Sequence, residues 1–158
     1  MPNYPYLPKG KDIKYVPITN QFMKLAYDTA QKESTDGVNP TGSVVVKDGK
    51  VLGKSANKSP LGHFKKFYEM HKNGFCIRRL LKIKTGQKYW ACPGCAKPYH
   101  HSEQGAIRNA KQNGHDTKGA DLYLWGHWWC CKSCWDKMID AGIKDVYVVD
   151  SAEENFKR

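Results

Sequence analysis

The chain has 158 residues, a net charge of +11 and six cysteines. This length suits a hydrophobic core, and we predict a single domain over residues 1–158. No apolar run is long enough to span a membrane and no secretory signal opens the sequence, which argues for the cytoplasm. In that reducing compartment, cysteines clustered with histidines favour metal binding over disulfides. The charge indicates an anionic partner, a nucleotide or a nucleic acid, or simply a solvated lysine surface.

The first third of the chain predicts an arm, a helix and a hairpin. Residues 1–18, rich in Pro, Tyr and Lys, predict an extended arm. Apolar residues at helical spacing predict a helix over residues 19–32. Residues 43–47 predict a strand, Asp48 and Gly49 a tight turn, and residues 50–56 the partner strand.

A basic insertion of residues 58–100 separates this hairpin from a series of helices and strands. After the insertion, periodicity predicts a helix over 101–113, a strand over 121–125, a helix over 131–141, a strand over 145–149 and a short polar helix at the end. The β-branched and aromatic run 146–149 indicates a strand buried on both faces. The order α-β-β-α-β-α-β predicts a sheet flanked by helices.

Two short motifs carry the chemistry. His101 and Glu103 lie in or just before the first turn of one predicted helix, and Cys131 and Cys134 share a face at the start of another. Zinc prefers four Cys and His ligands, and a catalytic zinc leaves one position to water. Three ligands from His101, Cys131 and Cys134, with Glu103 acting on the water, give the H-x-E and C-x-x-C pattern of zinc deaminases of nucleobases. Two helix N-termini at the metal would help to keep the thiolates ionised.

A structural zinc is the competing interpretation of the same motifs. It would need a fourth protein ligand, and Cys130 is available. The chain would then be a non-catalytic, zinc-stabilised module that binds nucleic acid. Glu103 argues against this alternative, because a structural site has no use for it.

The insertion contains a second set of metal ligands. Cys76, Cys92 and Cys95 with His71 make four, and His63 or His100 could replace His71. A long loop without regular structure needs a cross-link to stabilise it, so we predict a second, structural zinc. The alternative is a set of reduced cysteines without a metal.

Arginines and tryptophans supply candidate substrate contacts. Arg78 and Arg79 suit a monophosphate because Arg binds phosphate in a bidentate manner. Trp128 and Trp129, just before the cysteine pair, could stack on a base or cover the metal site as core residues. Three other tryptophans are expected in the core or in subunit contacts: Trp90, Trp125 and Trp135.

These segments resemble the zinc-dependent cytidine and deoxycytidylate deaminase superfamily. The similarity covers roughly residues 43–149 and is carried by residues 44–53, Asn57, 101–107, 131–134 and 141–143. The runs 76–79 and 86–89 are similar to the deoxycytidylate (dCMP) deaminase branch. The resemblance implies a three-layer α/β/α sandwich with a mixed central sheet, catalytic zinc and a homo-oligomer. Some relatives also carry a structural zinc near the insertion.

The resemblance implies hydrolytic conversion of dCMP to dUMP, with Glu103 moving protons between water, ring nitrogen and departing ammonia. In the family an Asn at the place of Asn57 binds the sugar, although an Asn there could simply end the strand. Polynucleotide cytidine deaminases have a Trp at the place of Trp128. The alternative enzyme activity is deamination of cytosine or adenine in RNA or single-stranded DNA.

The sequence departs from the family pattern at several positions. Ser102, which we include among the substrate-site residues, stands where the family usually has Ala, and Cys130 stands where it has Pro. Gly105 replaces an Asn common in the dCMP branch, and residues 55–58 replace Gly-Tyr-Asn-Gly. The zinc ligands are untouched, so these changes concern substrate identity and nucleotide regulation.

Overall fold

The computed structural model describes residues 3–157, so the first two residues of the predicted arm and residue 158 lie outside it. Five strands are described: β1 Ile13–Val16, β2 Gly42–Lys47, β3 Lys50–Ala56, β4 Asp121–Trp125 and β5 Val146–Val149. Six helices accompany them: α1 Gln21–Glu33, α2 Lys65–Lys72, α3 Ile77–Leu80, α4 Ser102–Gln112, α5 Lys132–Asp140 and α6 Ala152–Phe156. No helix among these residues is long and apolar enough to cross a membrane.

The strands form one mixed sheet in the order β1-β5-β4-β2-β3. β1 and β5, and β5 and β4, pair in parallel, whereas β4 with β2 and β2 with β3 pair antiparallel. The predicted turn joins β2 to β3, with φ of 50° at Asp48 and 76° at Gly49. Such a turn matches the twist of its strands and needs residues that tolerate positive φ.

Helices cover both faces of the sheet, which confirms the predicted sandwich. A Cβ at Gly42 of β2 would lie 2.1 Å from the Ala26 carbonyl oxygen, so α1 packs directly on that face. The next residue, Ser43, contacts Ser102 of α4 through hydroxyls 2.8 Å apart. Successive strand residues point to opposite faces, so α1 and α4 lie on opposite sides. The N-terminus of α4 therefore lies at the start of β2.

The predicted arm contains a strand that the sequence interpretation missed. Ile13–Val16 pairs in parallel with β5 at the edge of the sheet, with Ile13 beside Val146. Lys14 also forms an ion pair of 2.9 Å with Asp145. The four-residue strand has little periodicity of its own, and its partner lies more than 120 residues further along the chain.

The insertion is more regular than the predicted loop. It contains α2 and α3, together with single 3₁₀ turns at Tyr89–Ala91 and Pro98–His100. We call residues 58–100 the insertion lobe. Its helices are short and its exposed faces carry both lysines and apolar residues, so the helical period is weak in the sequence.

Candidate active site

Two helix N-termini bring three metal donors together, as the sequence predicts. His101 is the residue before α4, and Cys131 is the residue before α5. His101 Nδ1 lies 3.5 Å from the Sγ atoms of both Cys131 and Cys134. A tetrahedral zinc with bonds of ~2.3 Å to sulfur and ~2.1 Å to nitrogen separates these two atom types by about 3.6 Å. The donor types and their spacing therefore fit zinc.

The two thiols differ strongly in acidity. Cys134, by donating a hydrogen bond, lowers the pKa of Cys131 to about 4. The same pairing, followed by burial, raises the pKa of Cys134 well above its usual value. Opposite pKa shifts of two interacting thiols are the expected behaviour of coupled groups. Gln104 donates a hydrogen bond of 3.8 Å to Cys134 Sγ, a contact that the sequence interpretation missed.

Glu103 lies in the first turn of α4 and is 5% exposed. Its Oε2 accepts a hydrogen bond of 3.2 Å from the Ser102 hydroxyl. Burial raises the pKa of Glu103, while the charge on His101 opposes this shift. A metal cation beside the carboxyl would favour its ionised form. The carboxyl group is therefore placed to accept and release a proton.

Cys130 does not join the three donors. Among residues 3–157, the group at this site whose ligand atoms lie within 4.8 Å of one another consists of His101, Cys131 and Cys134. Cys130 is fully buried. Burial and the Glu103 carboxylate raise the pKa of its thiol well above the usual value. The position of its sulfur, rather than its acidity, therefore separates Cys130 from the donor group.

One cavity opens beside the donors and Glu103. Its lining includes His101, Glu103, Asn57, Arg78 and Trp129. The cavity wall thus contains His101 and Cys131 of the predicted metal donors, the acid and three of the six predicted substrate-site residues. Ligand sites are commonly concave, with a few polar groups placed in an otherwise apolar wall.

Asn57 combines a structural role with a place in the cavity wall. Its Oδ1 accepts hydrogen bonds from the Ser34 hydroxyl (2.6 Å) and the Thr41 amide (2.9 Å). Its Nδ2 donates to the Asn39 carbonyl at 2.8 Å. An amide nitrogen carries two hydrogens, so one remains for a ligand. Asn39 and Thr41 also line the cavity and were not singled out from the sequence.

The two arginines separate in the structure. Arg78 lines the cavity, whereas Arg79 is exposed and does not belong to the lining. The Arg78 guanidinium lies over the Tyr89 ring at 4.4 Å and donates through Nε to the Gln87 carbonyl at 3.0 Å. The Tyr89 ring in turn contacts the His101 ring at 5.0 Å. A guanidinium held in this way is oriented before any ligand arrives.

Trp128 and Ser102 lie outside the cavity lining, unlike Trp129. Trp129 packs on the Tyr4 ring at 5.0 Å and borders the cavity. Trp128 instead lies under the Lys157 ammonium at 5.4 Å. Ser102 is fully buried behind Glu103, so its side chain positions that residue rather than facing a ligand. Of the other tryptophans, Trp135 is in the core, Trp125 is half-buried and Trp90 is 72% exposed.

The insertion lobe holds a second donor cluster, made of His71, Cys76, Cys92 and Cys95. All four are buried and their ligand atoms lie within 4.8 Å of one another. Cys95 Sγ is 3.6 Å from both Cys76 Sγ and His71 Nε2, close to the separations of about 3.6–3.8 Å in a tetrahedral zinc site. The geometry brings together the four residues that the sequence interpretation preferred. Neither His63 nor His100 belongs to this group.

Asp36 connects the lobe cluster to the cavity, although no pattern in the sequence indicates this role. Its carboxylate Oδ1 lies 3.5 Å from His71 Nδ1, and both side chains are buried. Burial lowers the pKa of His71, but the interaction with Asp36 raises it, and the pKa is raised overall. Asp36 and Cys95 both line the cavity. In the sequence, Asp36 is indistinguishable from an ordinary loop residue before a glycine.

Comparisons with known proteins agree with this geometry. Residues 17–150 match the sequence profile of the cytidine and deoxycytidylate deaminase zinc-binding region. No curated protein matches the chain significantly. The structure of dCMP deaminase from the cyanophage S-TIM5, in apo form, is 22% identical with a TM-score of 0.50, and the match covers 86% of each chain. At this identity, the similarity shows the fold.

Two further solved structures are similar at lower TM-scores. The diaminohydroxyphosphoribosylaminopyrimidine deaminase/5-amino-6-(5-phosphoribosylamino)uracil reductase from Thermotoga maritima is 27% identical over 80% of this chain, with a TM-score of 0.47. This chain spans only 28% of that protein's length. The guanine deaminase from Bacillus subtilis is 22% identical over 85% of this chain and 68% of its own, with a TM-score of 0.44.

Proposed function

We propose that this chain, which belongs to the cytidine and deoxycytidylate deaminase family, is a zinc-dependent hydrolytic deaminase that converts dCMP to dUMP. The observation that carries this choice of substrate is the position of Arg78, which lines the same cavity as His101 and Glu103. A nucleoside needs no cation in its pocket. A nucleotide phosphate does, and Arg meets it with a planar pair of donors.

We assign the catalytic zinc to His101, Cys131 and Cys134, whose donor atoms have the required spacing. Zinc held by three protein ligands supplies Lewis acidity, which makes a water molecule acidic enough to ionise near neutral pH. Three donors, rather than four, are what a catalytic site requires. This is the reason for preferring an enzyme to a non-catalytic nucleic-acid-binding module closed by Cys130.

Glu103 is assigned as the residue that moves protons. Its carboxylate takes a proton from the attacking water and gives it to the pyrimidine ring nitrogen. The water oxygen bonds to the amine-bearing carbon as a hydroxyl group. Glu103 then takes the proton of that hydroxyl and delivers it to the amine, so that the C–N bond breaks, ammonia leaves and the oxygen becomes the carbonyl oxygen of the product. The surroundings exclude bulk water from this carboxyl, since the side chain is 5% exposed.

Three residues are assigned to substrate contacts. The free Nδ2 hydrogen of Asn57 suits a sugar hydroxyl, and the Trp129 ring offers an apolar wall for the base. Arg78, with unused N–H groups beside those bonded to carbonyls, suits the phosphate. Base stacking on an aromatic ring contributes ~1–3 kcal/mol.

We assign a second, structural zinc to the four donors of the lobe cluster. The cluster joins the end of α2, the start of α3 and the turn between Cys92 and Cys95. Without a cross-link, these short helices would have few apolar neighbours, because the apolar cluster here contains just the three cysteines with Ile77 packed against them. A metal bound by the folded state alone stabilises that state directly.

A homo-oligomer is also part of the proposal. Eight of the 14 large apolar side chains that are exposed in residues 3–157 belong to the insertion lobe. They are Phe64, Phe67, Met70, Phe75, Leu80, Leu81, Trp90 and Tyr99. Concentrations of exposed apolar residues mark contact surfaces. If the zinc-loaded protein sediments as a monomer at micromolar concentration, the homo-oligomer is refuted. The proposal also places the enzyme in the cytoplasm.

Charge supports a second candidate, a deaminase of cytosine or adenine in RNA or single-stranded DNA. The insertion lobe has ten Lys and Arg residues and one acidic residue, so it carries +9 of the chain's net +11. Exposed aromatic rings among these cations would suit unpaired bases. The lobe borders the cavity through Arg78 and Tyr89, which places these charges near the reaction.

A substrate panel on the zinc-loaded protein separates these candidates. Ammonia release would be measured with dCMP, CMP, deoxycytidine, dCTP and RNA and single-stranded DNA oligonucleotides that contain cytosine or adenine. We expect the largest kcat/KM for dCMP. Deoxycytidine should have a lower kcat/KM, mainly because its KM is higher. Preferred turnover of an oligonucleotide would support the second candidate. No ammonia from any of them, with two zinc ions bound, would contradict both and leave the non-catalytic module.

A further inference from the structure

We propose that Asp36 is a positioning residue that couples metal binding in the insertion lobe to substrate binding in the cavity. The proposal rests on the assignment of a second zinc to the lobe cluster. It gives that metal a role beyond stability, because the cluster lies directly behind one wall of the cavity. Asp36, which is 5% exposed, lines the cavity and lies 3.5 Å from His71 of the cluster.

The first link runs from the metal donors to Asp36. His71 turns Nε2 towards Cys95 Sγ, at 3.6 Å, and Nδ1 towards Asp36 Oδ1, at 3.5 Å. Nδ1 is buried and has no hydrogen-bond partner at shorter range within the described residues. A histidine that binds a metal through one nitrogen commonly has a carboxylate at the other. That carboxylate orients the ring and makes it a better ligand.

The second link runs from Asp36 to the substrate side. Asp36 Oδ1 also accepts hydrogen bonds of 3.0 Å from the amides of Val38 and Asn39. The Asn39 carbonyl then accepts the Nδ2 hydrogen bond of Asn57 at 2.8 Å. Asp36, Asn39 and Asn57 all line the cavity. One carboxylate oxygen thus holds the imidazole of the lobe cluster and the loop that carries the proposed sugar contact.

Arg78, which also lines the cavity, forms a second contact with the cluster. Its Nη1 lies 3.9 Å from Cys95 Sγ, and its guanidinium covers the Tyr89 ring. Zinc would draw electron density from Cys95 and hold the sulfur in place. The lobe cluster therefore reaches the cavity through Cys95 and Arg78 as well as through Asp36, but Asp36 is the contact that also holds the loop of Asn39.

The first test is Asp36→Ala, which leaves all four donors intact. We expect two zinc ions per chain, a KM for dCMP raised roughly tenfold and a kcat within about threefold of the native value. The matched control is Asp116→Ala, which removes a similar aspartate–amide hydrogen bond, to Lys118, from an exposed loop. That control should leave both constants unchanged. An unaltered KM in Asp36→Ala, with native turnover of dCMP, would overturn the proposal.

The second test is His71→Cys, which keeps a zinc ligand but removes the nitrogen that faces Asp36. It should raise KM as Asp36→Ala does, and the double variant should be no worse than either single one, because both break the same link. Additive effects would overturn the proposal. If His71→Cys fails to retain the second zinc, the Asp36→Ala result decides alone.

A third measurement needs no nucleotide, so it separates failure of the proposed substrate from failure of the link. Amide hydrogen exchange over residues 36–41 would be compared in the native protein and in His71→Cys, each carrying two zinc ions. We expect faster exchange at Val38 and Asn39 in the variant. Equal exchange would overturn the link, whereas absence of dCMP turnover in the native protein would instead refute the substrate.

Discussion

The donor cluster at the active site and the cluster in the insertion lobe use the same side chains in different numbers. At the active site, one histidine and two cysteines lie beside the buried Glu103 carboxyl, which stands next to the cavity. In the lobe, one histidine and three cysteines are all buried, and His71 has Asp36 behind it. Three donors leave a position for water, and four close the metal off.

The comparison also shows how similar local sequences acquire different chemistry. Each cluster contains a C-x-x-C pair, Cys131 and Cys134 or Cys92 and Cys95. The difference lies in what the rest of the chain brings to the pair. α4 brings a single histidine followed by Glu103, whereas α2 and α3 bring His71 and Cys76. The number of donors, rather than the motif, separates the catalytic from the structural assignment.

Removing one cysteine from each cluster should have the largest effect and the most different consequences. Cys134→Ala and Cys92→Ala should each reduce zinc from two ions per chain to one, measured by mass spectrometry of the metal. Cys134→Ala should abolish turnover. Cys92→Ala should lower the Tm by about 10 °C, since structural zinc contributes several kcal/mol and a domain of this size loses ~2–4 °C per kcal/mol. Native zinc content in either variant would refute that ligand assignment.

Glu103→Gln removes the carboxylate that distinguishes the active-site cluster from the lobe cluster, and it should leave both zinc ions bound. We expect kcat to fall about 10³-fold, because proton transfer by a positioned carboxylate contributes ~10²–10⁴-fold. Ammonia release and zinc content would be measured on the same preparation. The control is Glu69→Gln, the same chemical change at the exposed acid of the lobe, which should keep native turnover. Native activity of Glu103→Gln would show that another group moves the protons.

Arg78→Gln tests whether the lobe contributes a phosphate contact as well as a metal site. The kcat/KM for dCMP should fall about 10–100-fold, as a charged hydrogen bond contributes ~1.5–3 kcal/mol, while deoxycytidine should be affected much less. Arg79→Gln is the matched control, because Arg79 is the next residue in the chain and its guanidinium does not line the cavity. Equal losses for the two substrates would indicate that Arg78 supports the fold of the lobe instead.

Cys130→Ala should have the smallest effect. It tests whether the active-site metal has three protein ligands or four. Both zinc ions should remain, and turnover should stay within about threefold of the native value, because Cys130 does not belong to the donor group of His101, Cys131 and Cys134. The free energy of unfolding should fall by ~1 kcal/mol for the lost buried sulfur. Loss of one zinc ion would mean that Cys130 closes the site and that the enzyme assignment fails.

Much of the candidate site was predictable from short-range sequence patterns. His101 and Glu103 are two residues apart, and Cys131 and Cys134 three apart, so each motif needs only one helix start to place its side chains. The β2–β3 hairpin is similarly local, since its turn residues are adjacent. The missed strand β1 depends on pairing with β5, which no local pattern encodes.

When two adjacent residues had the same side-chain type, the sequence did not indicate which of them faces the cavity. Arg78 faces the cavity and Arg79 faces outwards, and Trp129 borders the cavity while Trp128 does not. Side chains one position apart point in different directions, and the packing of the lobe against the sheet decides which direction is inwards. Without an observed contact, both members of each pair were equally good candidates.

The amino-acid sequence alone determined the donor types, the helix starts that present them, and the acid beside the first histidine, because these depend on spacing within a few residues. Only the tertiary structure decided that Cys130 stays out of the metal cluster and that Asp36 faces His71. These contacts join segments whose positions are set by sheet pairing and core packing. Such packing sums many weak interactions across the whole chain, so it leaves little trace in any one stretch of sequence.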